Sequence, residues 1–165
     1  MESAEDDPEQ AWKDLQAKHI SAHDILIGIA ASGNTPYVLG GITAAKQQGI
    51  PTGCIVCNAH TPIAEAADYP VEVITGPEVV TGSTRMKAGT AQKMVLNMIS
   101  TSAMIRLGRV QGSKMVEMQL TNNKLRNRAI HMLVQELEIS AAEALELIRM
   151  HKTVKKALVA YRTGQ

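Results

Sequence analysis

Two kinds of apolar pattern run along the chain: short unbroken runs in the first half and a helical recurrence in the second. The run "DILIGIAA" at 24–31 is continuous rather than alternating, the form expected of a strand covered on both faces in a parallel sheet. "TGCIVCNA" at 52–59 and "PVEVIT" at 70–75 predict two more strands. Between them "PYVLGGITAAKQQG" predicts a helix opened by Pro36 and stopped at Gly49, and "PIAEAA" a shorter one. Ahead of the first strand, "PEQAWKDLQAKH" at 8–19 carries Trp12 and Leu15 at helical spacing, with Pro8 in the first turn. Strand, helix, strand, helix, strand is the order of βαβ units. It predicts an α/β fold, a three-layer αβα sandwich on a parallel sheet with right-handed crossovers.

Beyond residue 82 the pattern is helical. "STRMKAGTAQKMVLNMISTSAMIRLG" puts Ala91, Met94, Val95, Met98, Ile99, Ser102 and Ile105 on one face. Such a stripe suits a core helix or a subunit interface, and core packing is the ordinary reading. A looser connection, "GRVQGSKMVEMQLT", leads to the helical segment "NNKLRNRAIHMLVQELE". A last helical stretch opens with Ser140 and Glu143 at capping-box spacing. The expected division is an α/β domain over 1–118, including a long helix near 82–107, and a small helical subdomain over 119–165.

Composition narrows the functional classes. The 165 residues are 45% hydrophobic and 20% charged, which places the chain among globular proteins. A formal net charge of +1 gives no broad field for nucleic acid or an acidic membrane. Aromatics amount to 2% with no Phe, so there is no stacking platform for single strands. The longest apolar helix carries Asn, Ser and Thr and is too short to span a bilayer. An acidic N-terminus without an apolar segment argues against a secretory leader, and the expected location is the cytoplasm. Cys54 and Cys57 form a Cys-x-x-Cys, but inside a strand pattern they read as small buried apolar groups. His19, His23, His60, His131 and His151 lack metal-ligand spacing and read as surface or loop residues.

Two stretches carry candidate chemistry. In "GIAASGNTPYVLGG" a strand ends, Ser32-Gly33-Asn34-Thr35 follow, and a helix begins at Pro36. Free N–H groups at that helix start, two hydroxyls and a glycine are what an anion such as phosphate needs. No Gly-Lys-Ser/Thr follows, so this is not a Walker loop. A capped turn and an anion cradle both fit these residues. In "GPEVVTGSTRMKAGTAQK", Glu78, Thr81, Ser83, Thr84, Arg85, Lys87 and Thr90 crowd the start of the long helix. Glu5, in "AEDDPE", fits either a solvated acidic helix start or a reactive carboxylate.

The segment "EVVTGSTRMKAGTAQKMVLNMIS" closely resembles the signature region of the N-acetylmuramic acid 6-phosphate etherases, bacterial enzymes built on the sugar isomerase (SIS) domain. "GIAASGNTPYVLGG" is similar to that family's second phosphosugar loop. "TNNKLRNRAIHMLVQ" resembles the segment after its long helix, and "ESAEDDPE" its Glu-Gly-Ala-Glu-Asp stretch, with Ser3 in place of Gly. The resemblance spans almost the whole chain. It implies cleavage of the D-lactyl ether of N-acetylmuramic acid 6-phosphate to N-acetylglucosamine 6-phosphate and D-lactate, without metal or nucleotide. The implied route is elimination across C2–C3 followed by addition of water. It assigns acid/base work to Glu5, the 6-phosphate to Ser32 and Thr35 with Gly33 and Asn34 lining the loop, and a place near the sugar to Glu78, Ser83 and Arg85. It further implies a homodimer with a phosphorylated amino sugar as partner.

The family pattern is not complete. A first half with a Gly/Ser-rich loop and the second catalytic glutamate has no counterpart in this sequence, and the C-terminal helical tail is shorter. Ala30 stands where related loops often carry Ser, and "CNAHTP" where the etherases more often have Asn-Pro-Gly. Losing one of two acid/base partners costs about 10²–10⁴-fold in rate, so impaired turnover is expected of this chain alone. The alternatives are a non-catalytic regulatory member of the same domain type, which binds sugar phosphate without reaction, and an inactive fragment.

Overall fold

The computed structural model describes residues 2–164. Contacts divide the chain into two compact units, Met1–Met98 and Ile99–Gln165, a boundary some twenty residues earlier than the sequence division at 118/119.

The first unit opens with a short 3-10 helix, Glu2–Asp6, and helix α1, Gln10–Ala17. Strands β1 (Leu26–Ile29), β2 (Thr52–Val56) and β3 (Tyr69–Glu72) follow, separated by α2 (Pro36–Gln47) and α3 (Pro62–Ala66). The strands form one parallel sheet in the order β1-β2-β3, with Leu26 opposite Thr52 and Gly53 opposite Tyr69. The fold class is the α/β one expected from the continuous apolar runs. Each parallel pair is bridged by a helix because a parallel return needs a crossover. Pro36 opens α2, and Gly49 stands just past its end.

Burial is concentrated on the middle strand. Every residue of β2 is buried, whereas β3 is exposed throughout and Ile29 at the end of β1 is 41% exposed. The core joins Ala30, Ile42, Cys54, Val56, Ile63 and Ala67, with Leu26, Val38 and Leu39 packed against them. Cys54 and Cys57 are free and buried, and burial pushes both thiols above their ordinary pKa. They behave as the small apolar groups the strand pattern predicted.

At the foot of the sheet, Asp68 ties three elements together. Its carboxylate accepts hydrogen bonds from the Thr52 backbone N–H (3.0 Å) and the Thr52 hydroxyl (2.8 Å). Lys46, in the last turn of α2, pairs with it at 3.0 Å and also donates to the Ala66 carbonyl. The Lys46 hydrogen bond, then those from Thr52, hold the Asp68 pKa down at about 2.

The long helix α4 is Lys87–Arg106. Of its predicted apolar stripe, Val95 is buried, while Met94 and Met98 are 59% and 57% exposed. Core packing therefore does not account for the stripe in this chain. Among the described residues no helix is long and apolar enough to cross a membrane.

The second unit holds a small hairpin, β4 (Val110–Gln111) and β5 (Lys114–Met115), inside the connection read as irregular. Two-residue strands are too short for alternation to show. Three helices complete it: α5 (Asn123–Leu137), α6 (Ala141–His151) and α7 (Val154–Thr163). Their core is Leu133, Ala129, Ala144, Ile148, Val154 and Leu158, roofed by Val116. The capping box at Ser140 and Glu143 is present, with the Glu143 N–H donating to Ser140 Oγ at 3.2 Å and the Ser140 N–H to Glu143 Oε2 at 2.8 Å. Lys152, at φ +66°, ends α6 and separates it from α7.

Candidate functional site

The turn between β1 and α2 forms the floor of a 630 Å³ cavity in the first unit, within the usual range for a small-molecule site. Ser32, Asn34, Thr35, Tyr37 and Val38 line it from the turn and the start of α2; Glu5 and Asp6 line it from the 3-10 helix, and Thr84 and Gln92 from the α4 side. The fold thus brings Glu5 to the Ser32–Thr35 turn across about thirty residues of sequence.

The turn is held from beneath. Gly33 has φ +76°, its N–H donates to the Ala30 carbonyl at 3.0 Å, and its carbonyl accepts from the Ile63 N–H at 3.2 Å. A Cβ at this position would fall 2.4 Å from side-chain atoms of buried Thr61, so both conformation and space require glycine. Gly33 therefore shapes the loop without lining the cavity. From the side, the Asn58 amide donates to the carbonyls of Ala31 (3.2 Å) and Ser32 (3.3 Å). Asn34 donates to the same Ser32 carbonyl at 3.1 Å. With its carbonyls occupied this way, the turn keeps its donors.

Those donors are uncommitted. Thr35 is the N-cap of α2 but makes no side-chain cap hydrogen bond. The Ser32 hydroxyl accepts from the Asn34 N–H at 3.3 Å and keeps its own proton to donate. The backbone N–H groups of Ser32, Thr35, Tyr37 and Val38 have no partner among the described residues. A helix start with free N–H groups and two hydroxyls favours an anion.

Glu78 and Ser83 lie apart from this group. They line a neighbouring 200 Å³ cavity with Cys57 and Asn58, and Ala31 and Thr84 border both cavities. Both Glu78 oxygens are spent on the start of α4, accepting from the Lys87 and Ala88 N–H groups at 3.0 Å each. Those bonds, the Ala88 one foremost, hold the Glu78 carboxylate below its ordinary pKa. In this chain Glu78 is the cap of the long helix, reaching it across eight intervening residues of loop. Arg85 lines neither cavity and donates through Nε to Ser83 Oγ at 2.9 Å. Among the described residues no group of histidine, cysteine and carboxylate side chains is arranged to hold a metal.

A parallel sheet with its anion-type turn at the strand ends is matched by a family model. The SIS domain model aligns with residues 4–102, the stretch that carries Glu5, the Ser32–Thr35 turn and the start of α4. The chain belongs to the SIS domain family. Its relatives include proteins named N-acetylmuramic acid 6-phosphate etherase. The one from Christiangramia forsetii is 62% identical over 162 residues, covering 98% of this chain and 59% of that protein. The one from Bacteroides thetaiotaomicron is 56% identical over 98% of this chain and 58% of its own length. The one from Geobacillus thermodenitrificans is 52% identical over 96% and 54%. This SIS chain spans somewhat under three fifths of the length of the curated relatives it matches.

Several residues that support the turn and its cavity carry no signal in the sequence pattern. Asn58 and Thr61 come from the β2–α3 connection, and Gln92 from within α4, where its amide donates to the Ile55 carbonyl at 3.3 Å. Each acts through a contact more than twenty residues away, which no local pattern encodes.

Proposed function

We propose that this SIS domain binds a phosphorylated amino sugar and belongs to an N-acetylmuramic acid 6-phosphate etherase. The observation that carries the reading is that Glu5 lines the same 630 Å³ cavity as the uncommitted donors of Ser32 and Thr35. The names of the 52–62% identical relatives support the same substrate class.

In this reading the 6-phosphate sits on the Ser32–Thr35 turn, where backbone N–H groups and hydroxyls neutralise it without a cation. Gly33 and Asn34 hold the loop in shape. Glu5 takes part in proton transfer at the sugar. Removal of the C2 proton breaks the C3–O bond, the lactate oxygen takes up a proton, and water adding to the unsaturated sugar at C3 restores the hydroxyl. The sum is ether plus water giving N-acetylglucosamine 6-phosphate and D-lactate. Two carboxyl groups in different environments suit the two proton transfers. Glu78 contributes by fixing the start of α4, with Ser83 and Arg85 beside it near the sugar. The exposed stripe on α4 supports pairing of two copies.

The reaction is tested by incubating N-acetylmuramic acid 6-phosphate with the chain, alone and joined to the portion of the Christiangramia forsetii relative that it does not span. D-lactate release is expected from the joined protein and at least a hundredfold less from the chain alone. Absence of D-lactate from both overturns the etherase reading. A second reading, a sugar-phosphate sensor, has in its favour that Glu78 is committed to capping α4. Sub-millimolar binding of hexosamine phosphate without turnover in the joined protein would select it.

A further inference from the structure

Glycine inside a helix is destabilising relative to alanine, so the pair Gly40-Gly41 in the middle of α2 calls for a reason. The reason at Gly40 is a close backbone crossing. A Cβ there would lie 1.8 Å from the Pro8 carbonyl oxygen, 2.6 Å from its carbonyl carbon and 3.0 Å from its Cα. These are main-chain atoms, so no rotamer change relieves the clash. At Gly41 the contact is milder, 3.0 Å to the Cβ of Ala11. Farther along, the Tyr37 hydroxyl donates to Asp14 at 2.9 Å.

Pro8 stands two residues beyond the 3-10 helix that carries Glu5, and α2 begins at Pro36 with Thr35 as its N-cap. One rigid helix therefore starts at the Ser32–Thr35 turn and, five residues or about 7.5 Å along its axis, receives the Glu5 segment. We propose that Gly40 is a positioning residue: its missing side chain lets the 3-10 segment seat on α2, and this sets Glu5 against the Ser32–Thr35 turn. The inference deepens the proposed function, since it takes Glu5 and the turn to act on one ligand, but its geometric part stands without any ligand.

The test uses the full chain with a nitroxide attached at position 5 through Glu5→Cys; Cys54 and Cys57 are buried and escape labelling. Broadening of the Ser32, Asn34 and Thr35 amide signals is read with Gly40 intact, in Gly40→Ala, in Gly41→Ala and in the control Thr43→Ala, on the exposed face of α2. Gly40→Ala is expected to lower the broadening at least threefold, Gly41→Ala less, and Thr43→Ala not at all. Equal broadening in Gly40→Ala overturns the proposal. If Gly40→Ala does not fold, Gly41→Ala decides, and no loss there overturns it. On the unlabelled chain, N-acetylglucosamine 6-phosphate is expected to shift the Ser32–Thr35 amides equally with and without Gly40→Ala. No shift in either defeats the phosphate-loop reading, while the broadening still judges Gly40. In the joined protein the same substitution is expected to lower kcat at least a hundredfold with KM unchanged. A raised KM at unchanged kcat counts against positioning of Glu5.

Discussion

Thr35 shows how one residue decides between two chemistries that its sequence context leaves equal. A threonine before a proline-opened helix ordinarily caps it, and removing such a cap costs about 1 kcal/mol. Here the hydroxyl makes no cap bond, yet it lines the cavity. Thr35→Ala is therefore expected to leave the unfolding free energy within about 0.5 kcal/mol of its starting value. It is expected to weaken N-acetylglucosamine 6-phosphate binding tenfold or more, the loss of a hydrogen bond to a charged group of about 1.5 kcal/mol. Ser32→Ala should behave alike. Urea unfolding and a ligand titration read the two effects separately, and a stability loss with unchanged binding would restore the capped-turn reading. Gly33 carries the opposite lesson: in sequence a glycine there suits an anion, whereas the closeness of Thr61 shows the requirement coming from below the loop.

Among the elements, α2 and α4 are each fixed at one end by a carboxylate. Asp68 clamps the C-terminal turn of α2, through Lys46, to the start of β2, and Glu78 caps the start of α4. Both carboxylates have folded-state pKa values below their ordinary ones. A depressed carboxylate favours the folded chain above its unfolded pKa, and that contribution disappears as the pH falls through the folded value. For Asp68 the window runs from 3.8 down to about 2. Urea midpoints measured from about pH 5 downward should fall across this window, and Asp68→Asn should flatten the fall. An unchanged slope in Asp68→Asn would show that the clamp does not contribute. Strand β2 is legible because burial on both faces leaves a continuous apolar run, and the helices because amphipathic segments leave a period. The clamps themselves are not, since Lys46, Thr52 and Asp68 are ordinary surface-type residues until the chain brings them together. The β4–β5 hairpin was missed for a different reason: two residues per strand leave no period to detect.

At the scale of the whole molecule, the feature that stands out is apolar surface without cover. In the first unit, Met94 and Met98 of α4 are both exposed. Large contiguous apolar surface marks an interaction site in a soluble chain. With pairing through this stripe, the chain is expected to sediment as a dimer, and Met94→Lys with Met98→Lys to sediment as a monomer with helix content unchanged. Monomeric sedimentation of the unchanged chain at tens of micromolar would exclude the pairing. The Cys-x-x-Cys resolves at this scale too, as two free and buried thiols, Cys54 within β2 and Cys57 just beyond it.

The sequence by itself determined the order of strands and helices around the parallel sheet, the capping box at Ser140 and the residues of the Ser32–Thr35 turn. These rest on interactions between neighbours along the chain, or on burial patterns repeated at a fixed period. Only the tertiary structure decided that Thr35 is uncommitted, that Glu78 serves the start of α4, and that Gly40 admits the backbone of Pro8. Each of these depends on a contact between segments distant in sequence, and whether a polar group is spent or free is fixed by where its partner lies in space.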